Sequence, residues 1–159
     1  RSGSFFFFFC FDLEPDFITM AKGMGNGFPV GGVLIHDYHE AVKSELGTTF
    51  GGNYLACRAA LAVLDVLEDE DLIANARDLE SHFRAEVERL GIEAKIKGAG
   101  LMIGLDFGKP TAALRKTLVE ESHLFVGSSS NPNVVRILPP LNCTKEALST
   151  LLSEIKRLS

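Results

Sequence analysis

Lys22 stands between an apolar run, Phe17-Ile-Thr-Met20, and a segment with three glycines in five residues, Gly23-Met-Gly-Asn-Gly27. Glycines permit left-handed backbone and close approach to a ligand, so little bulk would screen this amine from a bound molecule. A lysine kept in a desolvated pocket loses proton affinity, and its neutral amine can attack a carbonyl carbon. The alternative is a solvated lysine at a strand end, which local physics alone favours; by itself it makes Lys22 a candidate and no more.

Two further groups could meet an anion. Thr48 and Thr49 lie in the polar turn Gly47-Thr-Thr-Phe-Gly-Gly-Asn53, just ahead of a helical pattern. Backbone N–H groups of such a turn, a helix N-terminus and a threonine hydroxyl suit a phosphate. The same residues could equally form a hydroxyl-rich entry turn with Asn53 as N-cap. Arg136 sits inside Val134-Val-Arg-Ile-Leu138 and shares a strand face with Val134 and Leu138. If that face is buried, the charge needs an internal carboxylate or a substrate carboxylate, which a guanidinium grips with two parallel hydrogen bonds.

Other chemistries lack their residues. His36 and His39 would share a face of a short helix, but no third metal ligand lies nearby, and surface histidines are expected. No Walker loop, no Gly-x-Gly-x-x-Gly after a strand and no Ser-His-Asp set occurs. The net charge of −5 supplies no basic stripe for phosphate backbones, which argues against nucleic acid. Cys10, Cys57 and Cys143 are odd in number and far apart, so they read as reduced, buried thiols of a cytoplasmic protein. The aromatic run Phe5–Phe9 is too short for a membrane span and is followed by Asp12, Glu14 and Asp16. It reads as an internal strand or buried loop of a chain given in part.

The elements that must hold these residues follow from periodicity. Residues 17–20 and 33–35 read as short strands, and 37–46 as weakly helical. A helix over roughly 53–68 is apolar almost all round (Leu55, Ala59, Leu61, Val63, Leu64, Leu67) and is expected to be buried. The next is amphipathic, with Leu72, Ala76, Leu79, Phe83, Val87 and Leu90 at steps of three and four, and Gly91 stops it. Leu101, Ile103, Leu105 and Phe107 alternate as a half-buried strand. Residues 111–122 read as a helix and Val134–Leu138 as a strand. A last helix starts at the N-cap Thr144 and carries Leu148, Leu151, Leu152, Ile155 and Leu158 on one face. From residue 91 the order is β-β-α-β-α, that of a small α/β domain. Residues 1–52 read as the edge of a larger α/β domain, and 53–90 as connecting helices.

Four ordered segments carry a resemblance. Pro15-Asp-Phe-Ile-Thr-Met-Ala-Lys-Gly-Met-Gly-Asn-Gly-Phe-Pro-Val-Gly31 resembles the cofactor-lysine motif of the class III (ornithine-type) aminotransferases. Gly47-Thr-Thr-Phe-Gly-Gly-Asn-Tyr-Leu-Ala-Cys57 resembles that family's second hallmark. Gly98-Ala-Gly-Leu-Met-Ile-Gly104 and Val135-Arg-Ile-Leu-Pro-Pro-Leu141 match two more, in the expected order. Within the family the wording is most similar to the acetylornithine and succinylornithine type.

The resemblance implies a fold-type I pyridoxal-phosphate (PLP) transferase: the C-terminal part of the large domain (1–52), connecting helices (53–90) and the small C-terminal α/β domain (91–159). Lys22 would hold PLP as a Schiff base and then act as acid and base. Thr49 would bind the PLP phosphate in the partner subunit's active site of a homodimer, and Thr48 would lie beside substrate there. Arg136 would bind the α-carboxylate of the amino acid. The implied reaction passes the amino group of an N-acylornithine to 2-oxoglutarate in arginine biosynthesis. An ornithine or 4-aminobutyrate aminotransferase, or a non-catalytic dimerisation module, would be the alternatives. In this family the aspartate that pairs with the pyridine nitrogen lies upstream of the segment resembling Arg1-Ser-Gly3. So do the groups that stack on the ring and bind the phosphate within the subunit. The expectation is a chain that holds only part of an active site and is inactive alone.

Overall fold

The computed structural model describes residues 1–40, 42–45 and 47–159. It divides into two compact units, Arg1–Phe7 with Leu72–Ser159, and Phe8–Asp71.

In Phe8–Asp71, strand β1 (Phe17–Met20) pairs antiparallel with β2 (Gly32–Ile35), with Phe17 opposite Ile35 and Met20 opposite Gly32. Between them Lys22–Gly25 forms a single 3-10 turn, closed by Asn26 in the left-handed conformation. Helix α1 (Tyr54–Asp69) packs against that turn. Asn53 caps α1 as expected: its Oδ1 accepts from the Ala56 N–H at 2.9 Å. The expected burial of α1 does not hold. Only Ala56 and Ala60 of this helix are buried, while Leu55, Leu61, Leu64 and Val66 are exposed. An apolar sequence marks surface able to be covered; only packing partners cover it.

Three further expectations fail. The phenylalanine run is neither strand nor buried loop: Phe7–Phe11 is a 3-10 helix, and the rings of Phe5, Phe7, Phe9 and Phe11 are exposed. The described residues of 37–46 form turns rather than helix, and positions 41 and 46 of that expected helix lie outside the described residues. Of the cysteines, Cys10 and Cys57 are exposed and Cys143 is half-buried, so the expected buried thiols are not found.

The other unit follows its pattern closely. Helix α2 (Leu72–Arg89) buries Leu72, Ala76, Leu79, Phe83 and Val87, the stripe its three- and four-residue steps dictate. The sheet has the order β3 (Lys95–Ala99), β4 (Met102–Asp106), β5 (Val134–Ile137), antiparallel throughout. Helix α3 (Ala112–Glu120) joins β4 to β5, and α4 (Lys145–Leu158) closes the chain. Ile103 and Leu105 of β4 and Val135 and Ile137 of β5 share one buried cluster with α2, Leu118 of α3 and Leu148, Leu151, Leu152 and Ile155 of α4. Thr144 caps α4, its hydroxyl accepting from the Ala147 N–H at 3.2 Å. Polar ties fix the helices: His82 of α2 hydrogen-bonds Ser149 of α4 at 2.9 Å, and Asn75 donates to the Leu141 carbonyl at 2.6 Å.

Candidate active site

Lys22 is placed by β1, which ends two residues earlier and delivers it to the glycine-rich turn. Its backbone lies at φ 59°, in the left-handed region. A non-glycine residue there costs conformational energy, and such residues concentrate at functional sites. Sequence reading missed this strain, because glycine, not lysine, is the usual occupant. The side chain is exposed, so the desolvated pocket expected around it is not built by the described residues. Among those residues it has no hydrogen-bond or ion-pair partner, and its amine is available to a ligand.

Thr48 and Thr49 are also exposed, in the turn ahead of α1. Thr48 lies so close over the Gly51 α-carbon that a β-carbon there would collide with the Thr48 methyl group. The turn continues through Gly52 at φ 67°, and both N–H groups of Asn53 reach back to the Phe50 carbonyl, the backbone one at 3.3 Å and the side-chain one at 2.9 Å. Among the described residues neither threonine hydroxyl has a hydrogen-bond partner. Two free hydroxyls beside the positive end of a helix fit an anionic group such as a phosphate ester.

Arg136 belongs to the other unit. Val135 and Ile137 point into the core; on the other face Val134 is buried and Leu138 half-buried, but Arg136 itself is exposed, so no internal carboxylate is required. Among the described residues no Asp or Glu pairs with it. The approach to β5 is firmly held. Buried Thr111 donates to the Pro132 carbonyl through both its N–H and its hydroxyl, each at 3.0 Å, and the Phe107 N–H donates to the Asn133 carbonyl at 3.0 Å. The structure thus brings Lys22, Thr48 and Thr49 into one unit and leaves Arg136 in the other.

His36 and His39 are exposed and near carboxylates rather than each other's metal: His36 Nδ1 lies 2.8 Å from Asp37, and His39 Nε2 lies 4.0 Å from Asp16. Among the described residues no cluster of His, Cys, Asp and Glu could hold a metal ion, and no helix is long and apolar enough to cross a membrane.

Comparison with known proteins identifies the family of the chain. The family model described as "Aminotransferase class-III" matches residues 1–158. The chain is 38% identical to an acetylornithine aminotransferase of Bacillus subtilis and 35% identical to one of Aquifex aeolicus, over 99% of its own length in each case. It spans 42% and 41% of those relatives. Among solved structures it superimposes on an acetylornithine aminotransferase of Elizabethkingia anophelis (TM-score 0.82, 28% identity). It also superimposes on the ornithine δ-aminotransferase of Plasmodium falciparum (TM-score 0.85, 27% identity). Each match covers 99% of this chain and 42% of the other. The α/β architecture is that of the corresponding part of these fold-type I transaminases.

Proposed function

Because the chain belongs to the class III aminotransferase family, we propose that it carries part of the active site of a PLP-dependent aminotransferase acting on N-acetylornithine or N-succinylornithine. The acceptor is 2-oxoglutarate, and the reaction serves arginine biosynthesis in the cytoplasm. The observation that carries the reading is Lys22: exposed, unpartnered among the described residues and held in a strained backbone at the end of β1.

Lys22 Nζ, as a neutral amine, would be the group that holds the cofactor at its carbonyl carbon, with water as the leaving group. The same Nζ would serve as the acid and base that moves a proton at the amine-bearing carbon of the substrate. PLP, when bound, would supply the electron sink for the reaction. Thr49 receives the phosphate in the partner subunit's site of a homodimer, and Thr48 borders the substrate there. Arg136 takes the α-carboxylate through a bidentate pair. In this reading residues 1–52 complete the large PLP-binding domain, 53–90 connect, and 91–159 form the small domain.

The ornithine aminotransferase reading draws on the Plasmodium superposition, and one experiment separates the two. The full-length protein mixed with PLP shows the visible absorbance band of a lysine-bound cofactor, and Lys22→Ala abolishes it. The same substitution lowers kcat by about 10²–10⁴-fold. Acetylornithine and succinylornithine discharge the band, whereas ornithine and 4-aminobutyrate leave it. A band that survives Lys22→Ala, or none in the wild type, removes the enzyme reading; discharge by ornithine alone selects the second.

A further inference from the structure

Arg136 has no side-chain hydrogen bond or ion pair among the described residues, yet its head group has a defined seat. Directly opposed residues of antiparallel strands put their side chains on the same face of the sheet. Opposite Arg136 on one side stands Gly104 of β4, and on the other Gly127, paired with it by an isolated bridge. Both flanks of the arginine therefore lack a side chain.

The two glycines differ in what they leave room for. A β-carbon at Gly104 would stand 3.0 Å from Val134 Cγ1 and 3.8 Å from Lys97 Cβ. At Gly127 it would stand 2.9 Å from Arg136 Nε, 3.3 Å from Nη2 and 3.4 Å from the Arg136 carbonyl oxygen. Gly127 is not among the glycines with positive φ, so its backbone conformation does not require glycine. A β-carbon there would instead displace the flexible guanidinium from its present place. The backbones are locked in register beneath it: the Gly127 N–H donates to the Arg136 carbonyl at 2.8 Å, and the Arg136 N–H donates to the Gly127 carbonyl at 3.1 Å. A methyl group at 127 cannot be relieved by sliding one segment past the other. The guanidinium must move.

We propose that Gly127 is a positioning residue: its bare α-carbon is the seat that directs the Arg136 guanidinium toward the substrate carboxylate. The inference rests on the reading of Arg136 as carboxylate binder. Two parallel N–H···O bonds demand a fixed angle between the planes, so a shifted head group loses the bidentate grip before it loses its charge. The defect belongs in substrate binding and not in the cofactor's attachment to Lys22.

The test uses the full-length PLP-loaded enzyme with Gly127→Val, Gly127→Ala, Arg136→Ala and the double variant Gly127→Val/Arg136→Ala. Gly127→Val raises KM for 2-oxoglutarate about tenfold, the order of one charge-assisted hydrogen bond lost from binding, while kcat changes less than about threefold. The visible cofactor band and the thermal midpoint stay at wild-type values. In the Arg136→Ala background Gly127→Val adds nothing to KM, because no head group remains to be displaced. A merely structural glycine would add the same penalty in both backgrounds, and that result overturns the proposal. So does an unchanged KM in Gly127→Val when Arg136→Ala raises it, which leaves the reading of Arg136 intact. If Arg136→Ala itself leaves KM unchanged, the reading of Arg136 fails and the seat with it. Should the valine variant not fold, Gly127→Ala decides on the same measurements.

Discussion

The two units of this chain drew similar apolar material and used it differently. In Leu72–Ser159 the side chains of α2, β4, β5 and α4 close on one another, and Leu79, Phe83, Leu105, Val135, Leu152 and Ile155 are essentially removed from solvent. In Phe8–Asp71 only Gly25, Ala56 and Ala60 are buried among the described residues, while Val33, Leu34, Ile35, Leu61 and Leu64 stay exposed. The better-packed unit carries the proposed carboxylate binder, Arg136. The sparsely packed one carries Lys22 and the threonine pair. Hydrophobic stabilisation scales with area removed from water, so the two should resist unfolding to very different degrees.

The largest effect expected from that contrast is at Phe83, which is 0% exposed. Phe83→Ala removes a ring from the centre of the cluster and leaves a cavity, costing about 3–5 kcal/mol. Leu64→Ala, at a residue 42% exposed on α1, costs less than about 1 kcal/mol in the same chain. Urea unfolding followed by far-ultraviolet circular dichroism measures both. Similar losses at the two positions would mean that α1 is covered after all, and the contrast between the units would collapse.

What could be read from sequence divides between rules settled within a few residues and packing that is not. Strand 17–20, the α2 stripe, the stop at Gly91 (φ 62°) and the caps Asn53 and Thr144 are local rules, each settled within a few residues, and each is found. The burial of α1 and of the phenylalanine run depends on what packs against them, which periodicity does not contain. Thr48, Thr49 and Arg136 stood out by residue type and neighbours, and Lys22 by its place before the glycines. The strain at Lys22 did not show, because its signature is a dihedral angle. Gly127 was equally hidden: beside Ser128-Ser-Ser130 it looks like an ordinary loop residue, and only the cross-strand bridge places it under Arg136.

A smaller effect sharpens the contrast through the two helix caps. Each cap satisfies an amide that the helix itself cannot, and its loss costs about 1 kcal/mol. Thr144→Ala should lower the unfolding free energy by about that amount, because α4 supplies four residues of the shared cluster and frays at their expense. Asn53→Ala breaks both the Ala56 N–H bond and the bond to the Phe50 carbonyl, yet it should leave that transition in place. Its expected signature is faster amide exchange in the first turn of α1. A transition shifted as far by Asn53→Ala as by Thr144→Ala would show the units unfolding as one.

The smallest effect concerns acid, through carboxylates around the well-packed unit. The Lys97 ammonium, 2.6 Å away across the strands, and then the Gly108 N–H at 3.0 Å hold the Asp106 carboxyl below its ordinary 3.8. Glu154 is held below 4.5 first by Arg157 and then by the Ser122 hydroxyl at 2.8 Å. A carboxyl whose folded value is depressed binds fewer protons folded than unfolded. Its contribution is therefore complete above the ordinary value and lost as pH falls through the folded one. Their cationic partners Lys97 and Arg157 are more than half exposed, so solvent screens both pairs and the loss is modest and confined to pH below about 4.5. Lys97→Gln removes the leading cause at Asp106. Its carboxyl titration, followed by carbon-13 NMR, should rise toward 3.8, and the acid loss of stability should flatten. An Asp106 midpoint that does not move in Lys97→Gln would show that Lys97 does not set it, and that this cross-strand pair adds nothing to the difference between the units.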